Sequence, residues 1–380
     1  MSGHDKDTFP VIAFLEGVFP DEHVRGVQHL SGGILNHVWR VQVGSGSVIV
    51  KRAPGHVNLV PEITLSAHRI QYEARALLLF ANHEKFIDMC AQVRTPRLLH
   101  NDTEQFAIVM EDCGILPDLR DYLSNSDENP FELADALSEF IARLHVRSLH
   151  DQELAAHFDN HSIQAVRNAI QYHGVSDCLR KAGMQDEEHI SNLADIAGDL
   201  GDRLTQPGRC LVMGDLWPRS LLISPGQAFL IDWEFVHFGQ PVQDLAHLAA
   251  HLWMLADQPN APGTTAMARS FLSRFLSSYM RNVKTELKEI TTHDDSDVRV
   301  KALDAVERRG HLWNIQDIHD CAAHFACEIL MRTVGPFQNK YLYDGLAPDD
   351  GIIQNAVQTA VSHLESPEDS EVFGRLLEYV

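Results

Sequence analysis

Residues 210–235 of the chain read CLVMGDLWPRSLLISPGQAFLIDWEF. Three short apolar runs within them, Cys210–Met213, Leu221–Ser224 and Ala228–Ile231, have the length and composition of β-strands. Pro225-Gly226 separates the last two runs and suits a tight turn, because proline fixes one φ angle and glycine accepts a positive one. This stretch therefore predicts a small β-insert that contains a hairpin.

An acidic residue follows two of these runs. Asp215 comes shortly after the first run and Asp232 directly after the last, 232 − 215 = 17 residues later. The hairpin between them would bring both loops to one end of a small sheet. Two carboxylates so placed can divide the work of a group transfer, with Asp215 orienting and deprotonating a hydroxyl and Asp232 binding Mg²⁺. For each acid alone, a structural role at a strand end is the alternative.

The first hundred residues predict a small sheet with one helix. Apolar residues recur at spacings of three and four from Ser66 to Ala81, which predicts the helix. A segment with two prolines, Pro54 and Pro61, is expected to be exposed. Alternating or β-branched runs predict the strands, which are Val24–Leu30, His37–Val43, Val48–Lys51, Leu98–Leu99 and Phe106–Met110.

Several residues of this region suit the binding of phosphate. Gly32 and Gly33 lie between the first two predicted strands, where backbone amides can approach an anion without obstruction by Cβ. Lys51 ends a strand, and Glu73 on the predicted helix can pair with it and hold it extended. An ordinary glycine turn, a lysine that reaches water and a solvated helical glutamate are the alternatives.

The chain after residue 114 is predicted to be mostly helical apart from the β-insert. We therefore expect an α+β fold with residues 1–110 as a β-rich lobe, 111–114 as a connector and 115–380 as a larger helical lobe. Clefts between lobes are common ligand sites. A phosphate cover, a lysine, acidic metal ligands and a carboxylate beside a hydroxyl are the parts that phosphoryl transfer from a nucleotide requires.

Composition excludes some classes of partner. The chain of 380 residues has 53 acidic and 31 basic residues, a formal charge of −22, which is unfavourable for binding nucleic acid or an anionic membrane face. It slightly favours a cationic small molecule. The six cysteines form no C-x-x-C pair, and the first residues lack the pattern of a secretory signal. We expect a cytoplasmic protein with no membrane segment, and its oligomeric state stays open.

The most specific motifs are Gly214-Asp215-Leu216-Trp217, Ile231–Phe235 and Gly239-Gln240-Pro241. On these, the chain from about Gly26 to Arg332 resembles the kinase-like small-molecule phosphotransferases, the superfamily of aminoglycoside phosphotransferases and choline kinase. The pair Asp232 and Glu234 is most similar to the 5-methylthioribose kinase branch, as are Cys327-Glu328 and Arg332–Gly335. The segment Ser31-Gly32-Gly33, with Asn36 and Trp39-Arg40, is also similar to the fungal 4-hydroxytryptamine kinases.

The resemblance implies a two-lobed fold like that of protein kinases, with ATP and Mg²⁺ bound between the lobes. It implies Asp215 as the catalytic base, Asp232 and Glu234 as magnesium ligands, and a structural role for Asp244 behind the catalytic loop. It also implies nucleotide contacts by Gly32, Gly33, Asn36 and Lys51, with Glu73 beside Lys51. The connector backbone, from Met110 through Glu111 to Cys113, would lie beside adenine.

Two residues depart from the family pattern. Met213 occupies a position where many members have histidine, which supports the loop. Ser220 stands where most members have asparagine, a magnesium ligand. A hydroxyl is a legitimate ligand of Mg²⁺, and Glu234 can supply a missing oxygen, so we predict Ser220 as a variant metal ligand.

The acceptor site is expected in the helical region after Pro241. Trp313, Asp317 and Arg332 are the predicted acceptor contacts, with the last suited to a phosphate or an anionic acceptor. At helical spacing, residues 313 to 328 include further polar residues that could share this face, and the polar flank of an amphipathic helix is the alternative interpretation.

We therefore expect an ATP- and Mg²⁺-dependent kinase that phosphorylates a hydroxyl of an amino alcohol, aminoglycoside, hydroxyindole or thiosugar. A non-catalytic nucleotide-binding protein is the first alternative, because of Met213 and Ser220. A helical binding module whose acidic loops are only structural is the second.

Overall fold

A five-stranded antiparallel sheet forms the N-terminal part of the protein in this computed structural model. The model describes residues 9–30, 35–58, 60–126, 128–258, 262–289, 312–338, 341–374 and 376, so that Gly32 and Gly33 lie outside the described residues. The described strands, in chain order, are β1 (Val24–His29), β2 (His37–Val43), β3 (Gly46–Arg52), β4 (His56–Val57), β5 (Val60–Thr64), β6 (Val93–Arg94), β7 (Leu98–Asp102), β8 (Ala107–Glu111), β9 (Cys210–Val212), β10 (Leu221–Ser224), β11 (Gln227–Leu230) and β12 (His237–Gly239).

Helices make up most of the remaining chain. The described helices are α1 (Val11–Val18), α2 (Arg69–Asn82), α3 (Leu119–Asn125), α4 (Phe131–Arg147), α5 (Gln152–His157), α6 (His161–Arg167), α7 (Val175–Lys181), α8 (Glu187–Leu204), α9 (Val242–Ala256), α10 (Pro262–Glu289), α11 (Ile315–Thr333) and α12 (Gly351–Glu365). A π-helical segment, Asn168–Tyr172, continues α6. The predicted α+β class is confirmed: an antiparallel sheet is followed by a larger helical part.

The sheet has the strand order β1-β2-β3-β8-β7, with β3 at its centre. Val48 and Val50 of β3 pack with Phe14 and Leu15 of α1 in a small apolar core on one face. Because side chains alternate along a strand, Lys51 leaves the sheet on the other face. That face lies towards α2 and the helical part, so the sheet aims the lysine at the junction of the two parts.

The hairpin β10–β11 forms as predicted and joins the two parts of the chain. Its strands pair antiparallel from Leu221–Leu230 to Ser224–Gln227, with Gly226 at φ 72° in the turn. The strand β11 also pairs in parallel with β6, which comes from the N-terminal region. Strand pairing therefore ties the hairpin before Asp232 to the segment that precedes β7 of the N-terminal sheet.

The segment with Pro54 and Pro61 differs from the prediction. It forms the hairpin β4–β5, and Val57 and Leu65 are buried with Ile163 in a small apolar cluster. The prediction that this segment is exposed is therefore wrong for its apolar side chains, several of which are buried. Pro61 lies in the short strand β5, on the small two-stranded sheet.

The helical part is held together by pairwise packing of its long helices. Helix α10 packs on α4, and α11 packs between α9 and α12. In the described part of the chain, no helix is both long enough and apolar enough to cross a membrane. The strand β8 ends at Glu111 and α3 begins at Leu119, while the division into lobes at residue 110 stays a prediction.

Candidate active site

Lys51 meets three carboxylates where the sheet faces the helical part. Its Nζ atom lies 2.7 Å from Glu73 Oε2, 2.8 Å from Asp232 Oδ1 and 3.7 Å from Glu234 Oε1. Lys51 and Glu73 are buried, whereas the side chain of Asp232 is 41% exposed. The fold thus brings an amine from the front of the chain to the acids that follow β11.

The negative charges around Lys51 outnumber the positive charges. Burial alone lowers the pKa of Lys51, but Asp232, Glu73 and Glu234 outweigh burial and raise this pKa well above its usual value. Burial raises the pKa of Glu73, and the nearby carboxylates of Asp232 and Glu234 add to the rise against the opposing effect of Lys51. Glu73, Asp232 and Glu234 carry three negative charges against the two positive charges of Lys51 and Arg69, so a further cation at this point would relieve the repulsion between the carboxylates.

The backbone of Asp232 is in the left-handed region, with φ 66° and ψ 57°. This conformation is uncommon for a residue with a Cβ, and aspartate is one of the few that tolerate it. It turns the chain from the end of β11 into the short 3₁₀ helix Trp233–Phe235. As a result, Asp232 and Glu234 both line the same cavity.

Asp215 lies in the loop after β9, and Asp244 of α9 fixes that loop. The carboxylate of Asp244 accepts hydrogen bonds from the backbone N–H of Met213 (2.9 Å) and Gly214 (2.7 Å), and His145 Nε2 lies 3.1 Å from it. Gly214 has φ 80°, and a Cβ there would come within 2.5 Å of the carbonyl oxygen of Phe235. The turn that presents Asp215 therefore requires glycine.

Arg167, which the sequence analysis did not select, holds the carboxylate of Asp215. Its Nη2 donates to Asp215 Oδ1 at 2.5 Å, and its Nη1 donates to the carbonyl oxygen of Gly214. Burial alone raises the pKa of Asp215, but the N–H of His247 and the charges of Arg167 and Arg332 outweigh burial and hold this pKa well below its usual range. Asp215 is consequently ionised at any pH at which the protein works.

Arg69, also missed, connects the loop before β2 with the acids after β11. Its guanidinium is buried and donates to Glu234 Oε2 (2.9 Å) and to Asn36 Oδ1 (2.9 Å). Asn36 in turn donates to Glu234 Oε1 at 2.7 Å. Further bonds run to the backbone carbonyls of Pro54, Ser66 and Leu35. A closed polar network thus fixes Glu234.

Ser220 does not reach the cavity. It is fully buried in the turn Pro218–Ser220, where its Oγ donates to the carbonyl oxygen of Trp217 at 2.8 Å and accepts from the Trp217 N–H at 3.3 Å. The structure therefore shows this hydroxyl closing the turn after Asp215, and Asp232 and Glu234 are the predicted metal ligands that line the cavity.

One cavity of about 270 Å³ contains most of the predicted site. Asn36, Lys51, Asp215, Asp232 and Glu234 line it. Glu73 lies behind Lys51, and the connector residues do not line the cavity.

The connector side chains are occupied elsewhere. Arg94 donates two bonds to the carboxylate of Glu111. Burial raises the pKa of Cys113 to about 12, so the thiol stays protonated. The carboxylate of Glu111 is therefore occupied, and contact of the connector backbone with adenine stays a prediction.

Of the three predicted acceptor contacts, the cavity includes Arg332 but neither Trp313 nor Asp317. Trp313 donates to the hydroxyl of Tyr279, and Asp317 closes the N-terminus of α11 and binds Arg209. From Asp317 to Arg332 the helix rises by about 22 Å, so these two residues lie at opposite ends of α11. Residues that lie on the same face of a helix therefore need not belong to the same site.

His247 and Glu328 line the cavity near Asp215, and His251 lies beside them; the sequence analysis selected neither histidine. His247 and His251 of α9 and Glu328 of α11 have side-chain N and O atoms within 4.8 Å of one another. Arg332 donates to Glu328 at 2.7 Å and His251 lies 3.0 Å from the same oxygen, so this carboxylate already has a cationic partner. That contact disfavours a metal ion in this cluster.

The missed residues had no distinctive local signal. Arg69 and Arg167 are single basic residues in helical segments, where a surface position is the usual outcome. Only the tertiary fold reveals their carboxylate partners, which lie 165 and 48 residues away along the chain.

Comparison with known proteins identifies the family of this chain. Residues 26–278 match the phosphotransferase enzyme family, and since this is more than half of the chain, the protein belongs to that family. The predicted enzyme class, a phosphotransferase of the kinase-like superfamily, is confirmed.

Individual relatives are more distant. The chain is 27% identical to the 4-hydroxytryptamine kinase of Psilocybe cyanescens over 278 residues, which cover 68% of this chain and 75% of that protein. It is 25% identical to the methylthioribose kinase of Exiguobacterium sibiricum over 245 residues, covering 60% and 61%. Among solved structures, the choline kinase of Cryptosporidium parvum aligns with a TM-score of 0.47 and 13% identity over 98% of this chain and 97% of that one.

Proposed function

We propose that this protein is an ATP- and Mg²⁺-dependent kinase that transfers the γ-phosphoryl group of ATP to a hydroxyl of a small molecule. The observation that carries the proposal is the contact of 2.8 Å between Lys51 and Asp232 in a cavity that Asp215 also lines. In this proposal residues 1–110 cover the nucleotide, 111–114 contact adenine through the backbone, and 115–380 supply the acids and the acceptor pocket.

The residues fit a magnesium ion. Asp232 uses one carboxylate oxygen for Lys51, and its exposed side chain leaves the other open to the cavity. Mg²⁺ in nucleotide sites takes one or two carboxylates together with phosphate oxygens and water. Asp232 and Glu234 would hold the ion, which when bound neutralises charge on the phosphates. Coordination by Ser220 stays a prediction, and its burial in the turn after Asp215 gives it no support.

Lys51 would bind the α- and β-phosphates. It is rigidly placed on the central strand of the sheet, and Glu73 holds its amine in the cavity. A fixed cation stabilises the developing charge on the transferred group without reorganisation during the reaction. Gly32, Gly33 and Asn36 would cover the phosphates.

Asp215 would orient the acceptor hydroxyl. The hydroxyl oxygen attacks the γ-phosphorus, the bond from this phosphorus to the bridging oxygen breaks, ADP leaves, and the hydroxyl proton passes to the carboxylate of Asp215. Because Arg167 strongly stabilises the ionised form of Asp215, this proton moves late, and orientation contributes more than early deprotonation.

The acceptor is a small hydroxylated molecule in this proposal. The candidate acceptor classes are amino alcohols, aminoglycosides, hydroxyindoles and thiosugars. The relatives named for 4-hydroxytryptamine and methylthioribose support hydroxyindoles and thiosugars. The net charge of −22 argues against a nucleic-acid acceptor.

A direct assay tests the proposal. The protein is incubated with γ-labelled ATP, Mg²⁺ and a pooled set of these acceptors, and products are identified by mass. We expect one acceptor class to gain a phosphoryl group, at a rate about 10²–10⁴-fold lower with Asp215→Asn. Binding of Mg-ATP without any transfer would support the non-catalytic alternative, and absence of Mg-ATP binding would refute both.

A further inference from the structure

Two side chains meet the carboxylate of Asp215 at the same oxygen atom. Nη2 of Arg167 lies 2.5 Å from Oδ1, and Nε2 of His247 lies 3.3 Å from it. The side chain of Asp215 is 20% exposed, and none of the described residues donates a hydrogen bond to Oδ2. Oδ2 is therefore the oxygen left open to an acceptor hydroxyl in the cavity.

Helix α9 supports both the backbone and the side chain of the loop that carries Asp215. Asp244 accepts hydrogen bonds from the backbone N–H groups of Met213 and Gly214, just before Asp215. His247 follows Asp244 by three residues, which places both on one face of the helix, and it faces the side chain of Asp215. The orientation of this carboxylate thus depends on a single rigid element.

A buried row of polar groups continues from His247 into the interior. Nδ1 of His247 lies 3.3 Å from Nε2 of His324, and Nδ1 of His324 lies 2.7 Å from the hydroxyl of Tyr172. All three side chains are buried. Tyr172 ends the π-helical segment that follows Arg167, so one stretch of chain supports Asp215 from two sides.

The row can hold its protons in one favourable order. Burial raises the pKa of Tyr172 well above its usual value and lowers the pKa of His324 well below its usual value, so His324 is neutral with one N–H. The hydroxyl of Tyr172 has no other acceptor among the described residues, so it donates to Nδ1, and the proton of His324 lies on Nε2. That N–H points to Nδ1 of His247, which leaves the proton of His247 on Nε2, towards Asp215. The opposite order would set a lone pair of His247 against the ionised carboxylate.

The charged groups that face this row leave that order in place. Oε2 of Glu328 lies 3.8 Å from Nδ1 of His247, which is longer than a hydrogen bond, and Oε1 accepts from Arg332 at 2.7 Å. His251 lies 3.0 Å from the same Oε1, and burial lowers its pKa to about 3, so it is neutral. The positive charge of Arg167 adds to the effect of burial in keeping His324 neutral.

Resting on the kinase function proposed above, we propose that His247 is a positioning residue for Asp215, and that Tyr172 and His324 direct the proton of His247 towards Oδ1. Arg167 and His247 together then hold the carboxylate in one orientation, with Oδ2 presented to the acceptor hydroxyl. Tyr172 influences the transfer step although it does not line the cavity.

The order of protons can be measured without any substrate. Nitrogen NMR of the histidine rings distinguishes an N–H at Nε2 from one at Nδ1, and the His247→Gln and His324→Gln variants assign the two signals. We expect both rings to be neutral with the N–H at Nε2 at neutral pH. An N–H at Nδ1 of His247, or an imidazolium there, would overturn the proposal. This result does not depend on whether the protein is a kinase.

Removal of the Tyr172 hydroxyl tests whether the row acts on transfer. Tyr172→Phe leaves Nδ1 of His324 without its donor, so the order of protons is no longer fixed. We expect kcat to fall by about tenfold, the effect of one hydrogen bond, while the affinity for Mg-ATP stays unchanged. The same substitution in a His247→Ala background should lower kcat no further, because Tyr172 acts only through His247.

Two matched variants complete this experiment. Tyr343→Phe removes the hydroxyl of another buried tyrosine, outside the row and the cavity, and should keep the wild-type kcat. His247→Gln places an amide N–H near the position of Nε2 and should retain more activity than His247→Ala. Equal losses in Tyr172→Phe and Tyr343→Phe, or additive losses in the double variant, would refute the positioning role. If the wild type phosphorylates no acceptor, the kinase function fails instead, and the NMR result still decides the order of protons.

Discussion

Asp215 carries a full negative charge although only 20% of its side chain is exposed, and Arg167 is the main residue of opposite charge that bonds to it directly. Removing that charge exposes the effect of burial, which favours the neutral acid. The pH at which Asp215 becomes protonated therefore depends on the charge of Arg167.

We predict that Arg167→Met raises the pKa of Asp215. Protonation then occurs at a higher pH, so the acidic limb of the pH profile of kcat/KM should move upward, while the wild-type limb from this group lies below the assayable range. The measurement is kcat/KM against pH for both proteins. An Arg180→Met variant, which removes a surface arginine paired with Glu187, should leave the limb in place. An unmoved limb in Arg167→Met would contradict the assignment.

Substitutions of Asp215 and of Asp232 should have different effects on Mg-ATP binding and on kcat. Asp215→Asn is expected to lower kcat by about 10²–10⁴-fold, the usual contribution of a proton-transfer group, and to leave the affinity for Mg-ATP nearly unchanged. Asp232→Asn should weaken Mg-ATP binding itself. Calorimetry and initial rates on the two variants check this, and the reverse pattern would mean that the two roles are exchanged.

We expect Arg69 to contribute more to the free energy of unfolding than Arg143 does. Arg69→Met leaves Glu234 buried without its main cation, so the free energy of unfolding should fall by about 3 kcal/mol, the usual cost of breaking a buried ion pair. Arg143→Met, whose side chain is 23% exposed, should cost less. Urea unfolding measures both, and equal losses would show that the network around Glu234 has no special role.

At the level of elements, the turn Pro218–Ser220 connects the loop of Asp215 to the hairpin that carries Asp232. The hydroxyl of Ser220 closes that turn on the backbone of Trp217. Ser220→Ala is therefore expected to lower stability by about 1 kcal/mol, like the loss of a helix cap, without changing the magnesium dependence of ATP binding. A tenfold rise in the magnesium concentration required would instead identify Ser220 as a ligand.

Elements that depend on local patterns could be predicted from the sequence. The strand His37–Val43 and the strand Leu221–Ser224 have the predicted bounds, because alternation of side chains and the Pro225-Gly226 turn are local properties. The prediction that Lys51 meets Asp232 and Glu234 came from the resemblance to kinase-like phosphotransferases, in which the phosphate-binding lysine and the magnesium ligands lie between the lobes.

Features that depend on distant contacts could not be predicted. The burial of Arg69 requires Glu234, and the use of Ser220 inside its own turn depends on local geometry that composition does not specify. Asp317 shares helical periodicity with Arg332 but lies about four turns away along α11. Periodicity gives the face of a helix, whereas position along its axis decides which residues share a site.

At the level of the whole molecule, the front and back of the chain meet through Lys51–Asp232 and through the pairing of β6 with β11. A ligand that bridges both parts should stabilise them together. Mg-ATP at about 100 times its Kd should add roughly 2.7 kcal/mol to the free energy of unfolding. Thermal or chemical unfolding with and without Mg-ATP measures this, and Lys51→Met should abolish most of the gain. No gain in the wild type would favour a helical binding module.

The measurement that tests the central claim most directly is transfer of label from γ-labelled ATP to a pooled set of hydroxylated acceptors, followed by mass identification of the product. The account predicts a phosphorylated small molecule that forms only with Mg²⁺ present, and whose rate of formation falls by about 10²–10⁴-fold with Asp215→Asn. Unchanged product formation by Asp215→Asn, or tight Mg-ATP binding with no phosphorylated product from any acceptor class, would contradict it.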